Sequence, residues 1–410
     1  MLLVSQYFWP EVFSINDLVL QLEADGHEVT VITGKPNYPK GGLFDGYSQS
    51  GVNHEIFGKN VAVIRLPLRP RHDGGGLNLA RNYLSFVING CRYIRSLVSR
   101  DEFDVVFVYA PSPILSAIPA IFAKWKIRAP LSIWVQDLWP ESIEVTGFIK
   151  NRLALYLVRQ LVRLIYSAAD QLLVQSPAFH ESVQLLAQPD KIQYYPNSHW
   201  DLMTQSQKSP LQNSELDALL KNYFCVVFAG NIGTAQNLET VLVAAERLKE
   251  NRQIKILLVG TGSMRADLMA QSEARGLDNL ILPGRVTPAE LPYLYDKAGA
   301  LLVSLSDQPI FRLTIPSKLQ GYFSAAKPIV ACMTGVGADV VKESGAGIAV
   351  DADDASGLSD AISSIYALGT EERERLGQNG RIYYLTHFEL GTLSQRLVSL
   401  LTELNWQGRE

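Results

Sequence analysis

The sequence predicts an α/β protein made of two successive domains, each built on a doubly wound parallel sheet. Three observations predict it. The chain has 410 residues, a length that suits two domains better than one. Short, near-continuous apolar runs alternate with amphipathic stretches along almost all of it, and strands buried on both faces of a parallel sheet read this way. A polar stretch rich in Gln, Ser and Asn, from Pro196 to Asn222, interrupts the alternation near the middle and reads as a linker.

The first half offers strands at Leu2–Ser5, Glu28–Thr33, Val61–Leu66, Val105–Tyr109, Leu131–Val135, Gln171–Val174 and Ile192–Tyr194. Helical patterns lie at Ile15–Ala24, Leu77–Val98, Ile149–Ala168 and Pro177–Leu186. After the linker a second series begins, with strands at Phe224–Ala229, Lys255–Val259, Leu280–Leu282, Ala300–Ser304, Pro328–Ala331 and Ile348–Val350. The acidic run Asp351-Ala352-Asp353-Asp354 then precedes a helix, Ala355–Leu368. Asp354 suits its N-cap, where a carboxylate meets free N–H groups and the positive end of the dipole. A last helical segment, about Phe388–Leu401, has no strand after it. Open parallel sheets bind ligands beyond the carboxyl ends of their strands, so the loops there are where function is sought.

Bulk properties narrow the classes. Hydrophobic residues make up 47% and charged residues 19%, so each half can bury an ordinary globular core. Cys91, Cys225 and Cys332 are odd in number and far apart, which reads as buried small hydrophobes and not as disulfides or a zinc site. Met1 runs straight into an apolar strand with no basic segment, unlike a secretory signal. The longest apolar stretch, Val105 to Ile127, is broken by Pro111, Pro113 and Pro119 and carries Lys124 and Lys126, so it falls short of a spanning helix. A soluble, cytoplasmic chain is expected. Its net charge of −4 argues against nucleic acid as a partner. The charge is uneven: residues 59 to 163 hold 15 Lys/Arg against 7 Asp/Glu. Such a segment suits an anionic surface; the other reading is an ordinary solvated imbalance.

Three loops of the second half suit a phosphate. They are Ala229-Gly230-Asn231-Ile232-Gly233, Val259-Gly260-Thr261-Gly262-Ser263 and Leu313-Thr314-Ile315-Pro316-Ser317-Lys318. Glycine lets backbone amides approach an anion, and a helix N-terminus adds free donors and a favourable dipole. Pro316 and Ser317 are helix-start residues, which puts the Lys318 ammonium in the first turn. There is no GxxxxGK[ST], and no GxGxxG follows the first strand, where the turn is Gln6-Tyr7-Phe8-Trp9-Pro10. A P-loop is thereby excluded, and the turn argues against a dinucleotide dehydrogenase. No His pair stands at ligand spacing, so neither a metal nor a cofactor is expected.

These loops, with four blocks of the first half, resemble family 4 of the retaining glycosyltransferases. The blocks are Gln6 to Glu11, Thr33 to Pro39 (Thr-Gly-Lys-Pro-Asn-Tyr-Pro), Asn82 to Phe86, and Trp134 to Ser142 (Trp-Val-Gln-Asp-Leu-Trp-Pro-Glu-Ser). The resemblance covers nearly the whole chain and lies nearest to bacterial O-antigen and capsule N-acetyl-L-fucosamine transferases. It implies a GT-B fold, two Rossmann-like domains facing a central cleft, with boundaries near 1–200 and 201–385. It implies that the last helix, about 386–410, packs back on the first domain. It also implies a metal-independent transfer from a UDP-sugar to a lipid-linked saccharide, at the inner face of the cell membrane. Two family features differ here. The usual Arg and Lys after the first donor-domain strand fall on Asn231 and Gln236, and the usual pair of Glu falls on Arg312 and Gln320.

On this reading the donor is held by Gly230, Asn231, Gly233, Gly260, Gly262, Arg285, Arg312, Ser317 and Gln320. The leaving diphosphate is stabilised by Lys318 and by N–H groups around Gly230, Gly233 and Ser317. Asp137 is the candidate to orient or deprotonate a hydroxyl, or else it caps a turn; Glu11 is a second candidate, and Asn16 is expected to cap the helix after it. Trp9, Trp139 and Glu141 are placed at the acceptor, where the tryptophans either stack on a sugar or pack. Arg69, Arg71 and Arg81 flank the Gly74-Gly75-Gly76 turn and meet a lipid diphosphate, or are a solvated loop. Arg159 and Arg163, at i,i+4, either snorkel at a membrane or mark a wet face. A nucleotide-sugar epimerase and a non-catalytic nucleotide-sugar-binding subunit are the other two readings.

Overall fold

The computed structural model describes residues 1–72, 75–145, 151–203 and 209–407. The chain forms two compact units: Met1–Ser198 with Leu390–Glu410, and His199–Glu389. Each is a parallel sheet covered by helices.

Unit 1 holds eight strands: β1 Leu2–Val4, β2 Thr30–Gly34, β3 Asn53–Phe57, β4 Val61–Leu66, β5 Val106–Ala110, β6 Leu131–Val135, β7 Gln171–Val174 and β8 Ile192–Tyr194. Their order is β3-β4-β2-β1-β5-β6-β7-β8. The strands from β4 to β8 across this order are parallel, and β5, β6 and β7 are buried along their whole length. Only β3 was not anticipated. It runs antiparallel to β4 at the sheet edge, and its Asn-His-Glu-Ile-Phe sequence alternates without an apolar run. The helix expected from Ile149 begins at Arg152. Asn151 caps it, accepting from Leu153 N at 2.9 Å and Ala154 N at 3.1 Å, while 149 and 150 lie outside the described residues.

The Leu390–Gln407 helix belongs to this unit and packs against the Ser14–Ala24 helix. Leu390, Leu393, Leu397 and Leu401, at helical spacing, enter the same apolar cluster as Leu18 and Leu22. Tyr195 Oη donates to Leu393 O at 2.9 Å and fixes its height.

Unit 2 holds six strands: β9 Phe224–Ala229, β10 Ile254–Val259, β11 Leu280–Gly284, β12 Ala300–Ser304, β13 Ile329–Cys332 and β14 Gly347–Val350. Their order is β11-β10-β9-β12-β13-β14, all parallel. Asp354 caps its helix, accepting from Gly357 N at 2.8 Å. Two elements differ from expectation. The supposed linker contains a helix, Ser214–Asn222, capped by Asn213 and seated by buried Leu216 and Leu220. A long helix, Thr370–His387, precedes the last one. Its buried face is marked by Gly377, Gly380 and Tyr384 and not by an apolar stripe; a Cβ on Gly377 would lie 2.1 Å from Ala326 O.

In each sheet the strand order reverses beside its first strand. β1 is flanked by β2 and β5, and β9 by β10 and β12. Loops leaving the carboxyl ends at these points diverge and leave room for a ligand.

Candidate active site

The reversal in unit 2 brings together the two glycine-bearing loops and the helix start that carries Lys318. The loop after β9 and the loop after β10 are stitched by Ile232 N to Thr261 O at 2.9 Å and Met264 N to Ile232 O at 3.0 Å. Gly260 has φ +146°, and a Cβ there would lie 1.9 Å from Gly230 O. Gly230, at φ +150°, would place its own Cβ 2.5 Å from Lys318 Cε. These glycines are close-approach positions. The Gly230 N–H is bonded to Val259 O at 2.9 Å, so its expected part as an anion donor does not hold and its part is steric. Among the described residues, the N–H groups of Asn231 and Gly233 meet no acceptor.

Lys318 sits in the first turn of the Ser317–Ser324 helix, which follows the loop after β12. Its Nζ donates to Gln236 Oε1 at 2.7 Å and stands 4.8 Å from the centre of the Phe228 ring. It forms no ion pair among the described residues. Burial of the uncompensated ammonium pushes its pKa down to about 8. Tyr322 Oη, from the same helix, accepts from Ala229 N at 3.1 Å and pins the helix to the end of β9.

A pocket of about 310 Å³ opens beside these loops, lined by Gly230, Asn231, Gly260, Thr261, Arg285 and Tyr295 among others. Arg285 Nε donates to Thr261 Oγ1 at 2.7 Å, which holds the guanidinium at the rim. Gln320 is 2% exposed and its amide has no hydrogen bond among the described residues. Ser317 is exposed at the helix start. Arg312 differs from the rest: Asp307 binds its guanidinium at two points, both 2.6 Å, so its charge is already matched.

In unit 1 the loops after β1, β2 and β6 carry the expected residues. Glu11 is 2% exposed and structural in its contacts. Its Oε1 accepts from Asn37 N and Tyr38 N, both at 2.7 Å, and its Oε2 accepts from Phe8 N at 3.3 Å. Burial nevertheless pushes the carboxyl up to about 7, against those donors and the Arg65 charge. Asn16 does not cap its helix. It lies inside it, its Nδ2 donating to Glu11 O at 2.7 Å and its Oδ1 accepting from Trp9 N at 3.1 Å.

Asp137 is half-buried on the loop after β6. It accepts from the Ser142 hydroxyl and from Trp139 Nε1 at 3.2 Å, and burial raises its pKa. Trp139 also donates to Ser112 Oγ at 3.3 Å, and Glu141 opens the Glu141–Val145 helix just beyond. Trp9 is 38% exposed and leans on Phe57 and the buried Arg65, whose guanidinium is 5.8 Å from its ring centre. Arg71 stacks over Tyr38 at 5.0 Å, whereas Arg69 and Arg81 are exposed. Of the glycine turn, Gly74 lies outside the described residues.

Residues that the reading of site candidates passed over hold these loops together. Gln6 Nε2 donates to Asn82 Oδ1 at 2.7 Å, and Asn82 Nδ2 donates to Asn37 Oδ1 at 3.4 Å. Gln6 Oε1 is buried without a hydrogen-bond partner among the described residues. Their signal was present in the sequence, since Gln6, Asn37 and Asn82 each lie in one of the blocks that carry the resemblance.

Residues 13–198 match the glycosyl transferase 4-like domain, and residues 214–383 match glycosyl transferases group 1. The chain is a GT-B glycosyltransferase. Over 332 residues it is 24% identical to the putative colanic acid biosynthesis glycosyl transferase WcaI of Escherichia coli strain K12, covering 76% of this chain and 77% of that protein. Over 311 residues it is 22% identical to an Escherichia coli O-antigen chain mannosyltransferase C, covering 74% and 76%. Its fold matches that of Anabaena HepE in complex with UDP, with a TM-score of 0.69 at 13% identity over 98% of this chain and 99% of that one.

The glycosyltransferase depends on Gly260 for the nesting of its loops. Gly260→Ala is expected to destabilise unit 2 by roughly 1–3 kcal/mol, from backbone strain and the clash with Gly230 O. Gly276→Ala, at φ +60° with nothing within 4 Å of its Cβ, bears strain alone and should cost less. Urea denaturation of both variants checks this; equal costs would remove the close approach from the argument.

Proposed function

We propose that the enzyme moves a sugar, with retention and without a metal, from a UDP-sugar to a lipid-linked saccharide in bacterial surface polysaccharide synthesis. N-acetyl-L-fucosamine or a related deoxy sugar is the transferred group, and the inner face of the cell membrane is where it works. The observation that carries the donor half is Lys318. A half-buried ammonium with no carboxylate partner among the described residues, beside two close-packed glycine loops and a helix start, suits an anion. In glycosyl transfer the charge that develops on the leaving diphosphate is what must be stabilised. The unengaged N–H groups of Asn231 and Gly233 add to Lys318 there. Arg285 lines the pocket beyond, and the unpartnered Gln320 amide suits a ribose hydroxyl.

The acceptor reading rests on unit 1. Asp137 presents a half-buried carboxylate, held in place by Ser142 and Trp139, that suits the orienting of a sugar hydroxyl. The relatives named for colanic acid and O-antigen chains point to polysaccharide as the product class, and the UDP-bound HepE to uridine in the donor.

Thermal unfolding with a panel of nucleoside diphosphates and their sugars, in excess EDTA, tests the donor half. A ligand at 100 times its Kd adds about 2.7 kcal/mol. Stabilisation is expected from UDP compounds and is expected to survive EDTA. Turnover of the sugar nucleotide without any acceptor would make the protein an epimerase instead, and stabilisation only with Mg²⁺ would overturn metal independence.

A further inference from the structure

We infer that the outer face of three neighbouring helices of unit 1 is a membrane-contact surface that inserts leucine and tryptophan side chains into an anionic bilayer. The helices are Gly76–Leu97, Ile118–Ile127 and Arg152–Ala168. The middle helix touches the other two. A Cβ on Gly90 of the first would fall 2.4 Å from Pro119 of the second, so those two lie in close contact. Lys126 Nζ donates to Arg95 O on one side, and Lys124 Nζ donates to Ala168 O at 2.9 Å on the other.

The Arg152–Ala168 helix carries the strongest sign. Leu153, Leu157 and Leu164 are 67%, 59% and 65% exposed, and their spacing sets them on one stripe. Arg152, Arg159 and Arg163 form the stripe beside it, all exposed. Val162, Ile165 and Tyr166 fill the buried side, so the exposed leucines are not this helix's core face. The first helix differs in detail: Leu77, Leu84 and Ile88, at 65%, 52% and 64% exposed, share their stripe with the exposed Arg81 and Arg95, and Arg92 lies at its edge. Trp125 of the middle helix is 64% exposed between the two tethering lysines.

Charge selects the partner. The three helices together hold eight Lys/Arg and no Asp or Glu. Acids near these helices include Asp101 and Glu102, past the end of the first, Asp170, which Lys124 binds at 2.7 Å, and Glu141, near Tyr166 on the buried side of the third. Among the described residues only Lys124 of these eight is in an ion pair, and apolar side chains seated among such cations fit the boundary between acyl chains and anionic headgroups; helices without acids offer no complement to a second copy of themselves. This places the contact on the helix faces, while Arg71 is taken up by Tyr38. The inference rests on the lipid-linked acceptor of the proposed function.

Flotation with vesicles of phosphatidylglycerol and phosphatidylcholine tests it. The wild-type enzyme is expected to float with them and not with phosphatidylcholine alone. The combined substitution Leu153→Ser, Leu157→Ser and Leu164→Ser is expected to weaken vesicle binding at least ten-fold at any salt, with an unchanged melting temperature. Arg159→Ser with Arg163→Ser is expected to weaken it and to flatten its salt dependence. A triple variant that floats like wild type would overturn the inference, as would a wild type that ignores vesicles but dimerises through the same leucines. Sugar transfer to a detergent-dispersed acceptor separates this from the activity. Transfer without vesicle binding defeats the membrane face alone, and vesicle binding without UDP binding defeats the proposed activity alone.

Discussion

Replacing Lys318 with alanine is expected to lower kcat/KM by about 10²-fold or more. One positioned donor to a developing oxyanion is worth about 3 kcal/mol of transition-state stabilisation, and this donor also carries the charge. Its described neighbours are poor substitutes: Asn231 and Gln236 are neutral, Arg312 is held by Asp307, and Arg285 is tied to Thr261 at the pocket rim. The position of the amine also allows a rescue. Lys318 Nζ lies 2.7 Å from Gln236 Oε1, so a lysine at 236 starts from the same place. The double variant Lys318→Ala, Gln236→Lys is expected to recover at least ten-fold of the loss.

The pH dependence follows with a definite sign. With its folded pKa near 8 and the ordinary value 10.5, Lys318 sheds its proton in the folded protein before it does in the unfolded chain. Between those values the unfolded state binds more protons, so this group makes stability rise with pH over that window. For activity the same shift acts in the opposite sense. On the role proposed for Lys318, the free enzyme loses the cation that would bind diphosphate above about pH 8, so kcat/KM should fall there, and Lys318→Arg should flatten the fall. Near-normal kinetics in the alanine variant would remove Lys318 from the reaction.

Glu11→Ala should act first on stability. Its carboxylate is the shared acceptor for the N–H groups of Phe8, Asn37 and Tyr38, and removing it strands two buried donors and a part-buried one. Each such donor costs about 1–3 kcal/mol, so a loss of about 3 kcal/mol or more is expected. For a unit of this size that is roughly 6 °C or more in Tm. Calorimetry with and without a UDP-sugar separates the roles, because a residue that only served catalysis would leave Tm unchanged. The pH sign is opposite to that of Lys318. With the folded carboxyl raised to about 7 from 4.5, the folded state holds a proton that the unfolded chain has released. Stability therefore falls as pH rises through that window, and Glu11→Gln should abolish the fall.

The sequence by itself determined the architecture and the two glycine loops of unit 2. Runs such as Val106–Ala110 and Phe224–Ala229 are apolar at every position because parallel strands are covered on both faces, and that pattern needs no tertiary information to read. The glycines at 230 and 260 and the lysine in a first helical turn were visible for the same reason: each is local. What the tertiary structure alone decided is who meets whom. Lys318 and Gln236 are 82 residues apart, and they meet because β12 pairs with β9 and leaves β10 and β11 on the far side. Glu11 faces Asn37 and Tyr38 because β1 lies beside β2, and only there does its carboxylate become a brace for two loops. The Gly230 amide was lost to Val259 O by the same pairing of neighbours. Local chemistry names the groups that a chain offers, but hydrogen bonds between distant segments decide which of those groups are already spent and which, like the Lys318 ammonium, remain for a ligand.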